Sequence, residues 1–179
     1  MTCFFLSIFE LAMGSEQHAN QLFSEAVEAN KDRVFRICLS YSESREDAED
    51  LFQEVLLNVW KALPSFKGAS SIDTWIYRIT LNICIRARHL TAKRTRHMIR
   101  VDGITLENTR ESVAESREED FALLSACIDK LKGSEKSIIL LYLEDLTYKD
   151  IAEVIGITEN HVAVKIKRIK EKLMKCVKP

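Results

Sequence analysis

The chain has 179 residues, 46% of them apolar and 30% charged, with a formal net charge of −1. That length supports one or two small domains, and that apolar fraction excludes general disorder. No stretch approaches the 18 or more apolar residues of a membrane span, so the chain is not expected to be a membrane protein. Only two Pro and five Gly, with Leu, Ile, Ala, Glu and Lys dominant, predict an all-helical protein.

The small net charge hides alternating blocks. Residues 1–60 carry 11 acidic and 4 basic residues, net −7, and residues 61–101 carry 9 basic and 1 acidic, net +8. Residues 102–135 return to −5 and residues 136–179 end at +3. Basic blocks suit a polyanion, whereas acidic ones suit a basic protein surface or self-shielding.

The N-terminal MTCFFLSIFELAMG lacks a basic start and a cleavage site, so it does not read as a secretory signal. Residues 1–12 read instead as an extension upstream of Met13. From Glu16 to Tyr41, Leu22, Phe23, Ala26, Val27, Val34, Ile37 and Cys38 mark an amphipathic scaffold helix, with a possible break near Asn30. Ser44 and Asp47 then form a capping box, and Pro64 stops the helix they open. Ala48, Phe52, Val55, Val59 and Leu63 form its buried stripe, broadened by Leu56 and Trp60. Asp50, Gln53, Glu54, Leu57, Asn58 and Lys61 occupy the opposite face. Taken alone, that face is either a solvated helix surface or a docking patch with Leu57 at its centre.

Ser70 and Asp73 predict the next helix start. Ile72, Trp75, Ile76, Ile79 and Ile83 fall at core spacing, so Trp75 reads as packing rather than base stacking. Arg78, Asn82, Ile85 and His89 share another face. Basic residues then accumulate at Arg86, Arg88, Lys93, Arg94, Arg96 and Arg100, a surface suited to phosphate contact. Between about Thr95 and Arg117 the periodicity fades into a polar, acidic stretch, expected to be a flexible linker. As a coil of about 20 residues it would average roughly 25 Å end to end and reach ~65 Å extended.

From Glu118 a helix carries Phe121, Leu124, Ile128 and Leu131, closed by Gly133. Another, from about Ser134, carries Ile138, Ile139, Leu141, Tyr142 and Leu143 as apolar support for the C-terminal pair of helices. Thr147 and Asp150 cap the first of that pair, with Ile151, Ala152 and Ile155 on one side, and Gly156 ends it. Thr158 caps the second, whose Val162, Ile166, Ile169 and Leu173 form a single buried stripe. Its opposite face carries Asn160, Val164, Lys167, Glu171 and Lys175, with His161 and Arg168 beside them. Seven Lys/Arg and one Glu follow from His161 onward. A small Ala, a turn Gly and a basic outer face describe a DNA-binding helix-turn-helix. The alternative is an ordinary helical hairpin with a solvated basic face. The five cysteines, odd in number and scattered, predict reduced buried thiols rather than a disulfide frame. His18, His89, His97 and His161 form no ligand pair, so neither metal nor other cofactor is expected.

Taken in order, DAEDLFQEVLLNVWKAL, TWIYRITLN and LTYKDIAEVIGITENHVAVKIKRIKEKL resemble an extracytoplasmic-function (ECF) sigma factor, a specificity subunit of bacterial RNA polymerase. The resemblance covers about Gln21 to Lys175. It implies two small helical domains joined by the linker: an extension over 1–15, a region 2-like domain over 16–95, a linker over 96–117 and a region 4-like domain over 118–179. It implies that Asp50, Gln53, Glu54, Leu57 and Asn58 dock on the clamp helices of the polymerase β′ subunit, with the β flap as a further contact. It also implies that the loop after Pro64 and the helix through Asn82 take an unpaired base of the −10 element, with Arg78, Asn82, Arg86, His89, Lys93 and Arg94 on that DNA. Arg86 departs from the pattern, since relatives often carry a second polar amide there.

The −35 reader would be the helix-turn-helix, through Thr158, Asn160, His161, Val164, Lys165, Lys167, Arg168 and Lys172. Ala163 and Val164 stand where relatives commonly have Lys and Ser, which shifts readout toward methyl contacts. The linker is similar to the segment threaded near the polymerase active site, although a plain tether explains its composition equally well. The implied partners are core polymerase, promoter DNA and an anti-sigma factor, in the cytoplasm and with no small-molecule substrate. No nucleophile–base pair or phosphate-binding glycine loop appears, so no enzymatic activity is expected. A stand-alone repressor or activator would explain the C-terminal half but leave the acidic DAED helix without a role.

Overall fold

A computed structural model describes the backbone of residues 2–102 and 116–178, and the side chains of residues 21, 23–91 and 122–178. All regular structure among the described residues is helical: α1 (Thr2–Tyr41), α2 (Arg45–Ala62), α3 (Ile72–Asp102), α4 (Ser116–Asp129), α5 (Ser134–Leu143), α6 (Tyr148–Ile155) and α7 (Glu159–Val177). The stretch expected as a linker is helical as far as Asp102, and residues 103–115 lie outside the described residues.

The first three helices pack on one another. Ser44 caps α2, its Oγ accepting from the Asp47 amide at 3.0 Å. Pro64, unable to donate to a continuing ladder, sits in a short 3₁₀ turn over Leu63–Ser65. Ala48, Leu51, Val55 and Val59 face the core, while Phe52 is half-buried. Trp60, expected to widen that stripe, is instead nearly half-exposed and meets Phe23 edge-to-face at 5.0 Å. The cap of α3 is Ser71 rather than Ser70, since Ser71 Oγ accepts from the Thr74 amide at 3.1 Å. Asp73 is thereby freed from the cap and accepts from Asn30. Trp75 is half-buried against the core and tilts over Phe66 at 5.2 Å, the packing role expected of it.

Asn30 does not break α1, which runs through it uninterrupted. The side chain is 2% exposed and fully used. Its Nδ2 donates to the Ala26 carbonyl (2.9 Å) and to Asp73 Oδ1 (2.7 Å), and its Oδ1 accepts from the Tyr77 hydroxyl (2.6 Å). A buried amide that satisfies its donors and acceptor across two helices fixes their register. Cys38 and Cys84, both free and buried, pack in the same core.

The last four helices form the second unit. Helix α4 ends at Asp129, short of Gly133, and Gly133 (φ 57°) instead precedes α5. Ile138 to Leu141 are buried, but Leu143, expected with them, is half-exposed because it points out of the last turn of α5. Thr147 caps α6 by accepting from the Asp150 amide at 3.1 Å, and Gly156 closes it at φ 78°, a left-handed conformation that Gly adopts without steric cost. Thr158 caps α7 through the His161 amide at 3.3 Å. Val162, Ile166, Ile169 and Leu173 are all buried, the stripe read from their spacing.

The expectation of reduced cysteines fails for one pair. Cys127 on α4 and Cys176 on the last turn of α7 are joined in a disulfide, with Cα atoms 6.0 Å apart. The odd cysteine count and the wide scatter concealed a pair that lies 49 residues apart in sequence but adjacent once α4 packs along α7.

Candidate nucleic-acid interface

Helix α2 carries the first set of candidates on its solvent face. Asp50, Gln53 and Leu57 are exposed, and Glu54 and Asn58 are half-buried. Leu57 is 57% exposed although apolar, inside a rim of polar side chains. Asn58 donates to the Glu54 carbonyl at 2.7 Å, the i−4 bond that keeps a polar side chain folded along its helix. Glu54 also receives the Arg86 guanidinium from α3. Arg86, assigned from sequence to DNA alone, therefore ties the α2 face to the α3 face.

On α3, Arg78, Asn82, Arg86 and His89 are all exposed and follow one another at spacings of three or four residues. Asn82, flanked by two guanidinium groups a turn away on either side, presents a neutral donor and acceptor inside a cationic strip, a composition suited to a base edge beside phosphates. Arg78 also donates to the Glu153 carbonyl of α6 at 2.6 Å. The side chains of Lys93 and Arg94 lie outside the described residues, as do those of Arg96 and Arg100.

On α7, Asn160, His161, Val164, Lys167 and Arg168 are exposed and Lys165 is half-buried. Val164 is 47% exposed while Val162 and Ile166 on either side of it are buried, so the core stripe fixes which face of α7 meets solvent. Thr158 is occupied as the cap, and Lys172 pairs with Glu135 at 2.6 Å. The turn that aims α7 is set by Gly156, whose amide donates to the Ala152 carbonyl at 2.8 Å.

Contacts between the two units escaped the sequence reading. Arg36 of α1 grips Glu144 with three hydrogen bonds of 2.5–3.1 Å, and the Tyr41 and Ser137 hydroxyls meet at 2.9 Å. Lys136 is buried, yet its ammonium is bonded to the Ser40 carbonyl and to Asp129 Oδ1 (2.6 Å), and it stacks on the Tyr41 ring. Burial pushes its pKa below the usual lysine value, and the Asp129 carboxylate opposes that shift. No local pattern announces such contacts, since their members lie about 100 residues apart.

Comparison with known proteins assigns both units. Residues 26–95 match the family model for sigma-70 region 2, and residues 121–173 match that for sigma-70 region 4. The chain belongs to the sigma-70 family, in its ECF class. Among curated members, SigE of Mycolicibacterium smegmatis is 26% identical over 88% of this chain, and SigW of Bacillus subtilis is 25% identical over 86%. SigG of Mycobacterium tuberculosis is 43% identical over a 65-residue stretch. The chain spans 62% of the length of SigE and 18% of SigG, against 87% of SigW. Two solved structures are similar. RpoE from Bartonella quintana, solved with the anti-sigma factor NepR, superposes with a TM-score of 0.68 at 22% identity, covering 87% of this chain and 96% of that one. CnrH, solved with the cytosolic domain of CnrY, superposes at 0.64 and 20% identity, covering 89% and 92%. In sigma-70 terms α2 and most of α3 lie within the region 2 match, and α5 to α7 fall mainly within the region 4 match.

Proposed function

We propose that the chain is an alternative sigma factor that binds core RNA polymerase and directs initiation at promoters with its own −10 and −35 elements. One observation carries this reading: a region 2 match and a region 4 match stand in that order on one chain. Each has a solvent-facing candidate surface, acidic with Leu57 on α2, basic on α3 and α7. The family is one of initiation factors, so catalysis belongs to the polymerase and this chain supplies recognition. Residues 16–95 would form the polymerase and −10 module, 96–117 the linker and 118–179 the −35 module. Among the described residues no helix is long and apolar enough to cross a membrane, which accords with work beside polymerase in the cytoplasm. RpoE and CnrH were each solved with a partner, the first with an anti-sigma factor. By analogy we assign this chain an anti-sigma factor as well.

The assigned division of labour follows from the two states of promoter DNA. A duplex element is read by a helix in the major groove, where base edges are distinguishable, and α7 offers its exposed face for that. A melted element needs a place for an unstacked base and a cationic track for its backbone, the roles given to Asn82 and to Arg78, Arg86, His89, Lys93 and Arg94.

Asn82→Ala should reduce open-complex formation while barely changing binding to a duplex −35 fragment. A pre-melted −10 bubble that both proteins bind with equal preference would remove Asn82 from base reading. On α7, Val164→Ser should relax preference at one base pair, costing about 1–3 kcal/mol on the preferred site without altering the salt slope. Lys165→Ala should do the reverse, weakening all sequences alike and lowering the slope by roughly one unit. Equilibrium binding to duplex −35 variants at several salt concentrations separates the two. No change in preference or affinity for Val164→Ser would mean that another face of α7 enters the groove. The proposal as a whole is tested by co-sedimentation of the chain with core polymerase: a stoichiometric complex supports it, and failure to associate would leave a stand-alone DNA binder.

A further inference from the structure

The Cys127–Cys176 disulfide joins α4 to the last turn of α7. It closes a 49-residue separation that contains α5, α6 and nearly all of α7, so it encloses the whole helix-turn-helix. Both sulfur-bearing residues line a cavity of about 360 Å³ formed by the C-terminal parts of α4 and α7 and the segment leading into α5. The same wall carries Lys130, Lys132, Lys172 and Glu135. Lys172 is neutralised by Glu135 at 2.6 Å, which leaves Lys130 and Lys132 as the surplus positive charge. Cys127 is 2% exposed, whereas Cys176 is half-buried and the more accessible of the two, so an incoming group reaches the Cys176 side first.

We propose that Cys127 and Cys176 form a reversible thiol–disulfide exchange site, served through this lysine-lined cavity by an anionic low-molecular-weight thiol and its disulfide, which sets the stability of the promoter-reading unit. The proposal rests on the sigma reading for its compartment alone: beside polymerase the chain sits among reduced thiols, where disulfides are typically transient and redox-sensing. The exchange is balanced. A thiolate attacks the Cys176 sulfur, the S–S bond breaks, and Cys127 leaves as a thiolate that takes up a proton. A second thiolate attacks the small thiol's own sulfur in the mixed disulfide and expels Cys176. Two small thiols are thereby oxidised to one disulfide, and the protein gains two electrons and two protons. The reverse sequence restores the bridge.

The other two described thiols are built against such chemistry. Cys38 and Cys84 are both fully buried in the first unit, and the Cys84 thiol, beside Cys38 and away from water, is pushed far above the ordinary cysteine range. A group held so firmly as the neutral thiol is inert, since the thiolate is the reacting form. Cationic surroundings favour the thiolate instead, and Lys130 and Lys132 supply them on the wall of the shared cavity.

The test uses the full chain in buffers of reduced and oxidised glutathione, with thiols trapped by alkylation and counted by mass. We expect Cys127 and Cys176 to convert together and reversibly as the ratio changes, while Cys38 and Cys84 stay thiols in the native protein. The dithiol form should melt about 10 °C lower, a shift absent from Cys176→Ser. Reduction by anionic glutathione should slow about threefold or more in a Lys130→Gln, Lys132→Gln variant and at high salt, while reduction by neutral 2-mercaptoethanol should not. Two cysteines that stay reduced in excess oxidised glutathione would overturn the proposal. So would equal melting of the two forms, or a glutathione rate blind to the lysines. None of these readouts involves polymerase, so their failure leaves the sigma reading standing, and its failure leaves them standing.

Discussion

Asn30→Ala should cost about 3 kcal/mol and lower the melting temperature by roughly 6–12 °C, one of the largest losses expected from a single substitution outside the apolar core. The amide makes three hydrogen bonds from a site 2% exposed, and its removal takes the acceptor from the Tyr77 hydroxyl, itself 1% exposed, which keeps only the Arg33 guanidinium beside it. A buried donor left without its acceptor costs more than the bond itself was worth, because nothing replaces the water it gave up. Asp73 is exposed and returns to solvent at little cost. The effect should reach function, because Asn30 joins α1 to the segment of α3 that begins the Arg78–Asn82–Arg86 strip. Thermal unfolding of the variant measures it directly. A shift of under 2 °C would show that the two helices are held by apolar packing alone.

Leu57→Asp should act in the opposite place, on binding and not on folding. An apolar side chain 57% exposed has little core contact to lose, so the melting temperature should move by no more than about 2 °C. Affinity for core polymerase should fall by about 30-fold or more, the loss of at least ~2 kcal/mol expected when the centre of a docking patch is replaced by a buried charge. Rim positions such as Asp50 and Gln53 should each matter less, being solvated on both sides of the equilibrium. A large drop in melting temperature would make Leu57 a core residue, and unaltered affinity would move the polymerase contact elsewhere.

What the sequence disclosed was whatever is encoded within one or two turns of helix. Thr147, Gly156 and Thr158 announced both ends of α6 and the start of α7, because a cap bonds an amide three residues away. Val162, Ile166, Ile169 and Leu173 announced the buried face by period alone, and with it the exposed face on which the −35 candidates lie. The exposure of Leu57 followed in the same way from the buried stripe opposite it. What stayed hidden depends on partners far along the chain. Asn30 looked like a helix breaker because its bonding partners Asp73 and Tyr77 lie 43 and 47 residues on. The Cys127–Cys176 bridge was missed for the same reason, and cysteine counting is blind to which helices pack together. Ser71 displaced Ser70 as a cap because adjacent serines are equivalent to a spacing rule, and Asp73 was claimed by Asn30. The Arg36–Glu144 and Lys136–Ser40 contacts belong to the meeting of two units, for which no periodicity exists.

Run-off transcription shows whether this chain gives polymerase its choice of promoter. Core polymerase lacking any sigma subunit is mixed with the chain and a library of promoter fragments, and the transcripts are mapped to their starts. Discrete transcripts are expected from fragments sharing one −35 and one −10 sequence, lost with Leu57→Asp and redistributed among −35 variants with Val164→Ser. Absence of any promoter-specific transcript, with the chain still binding duplex DNA, would contradict that role.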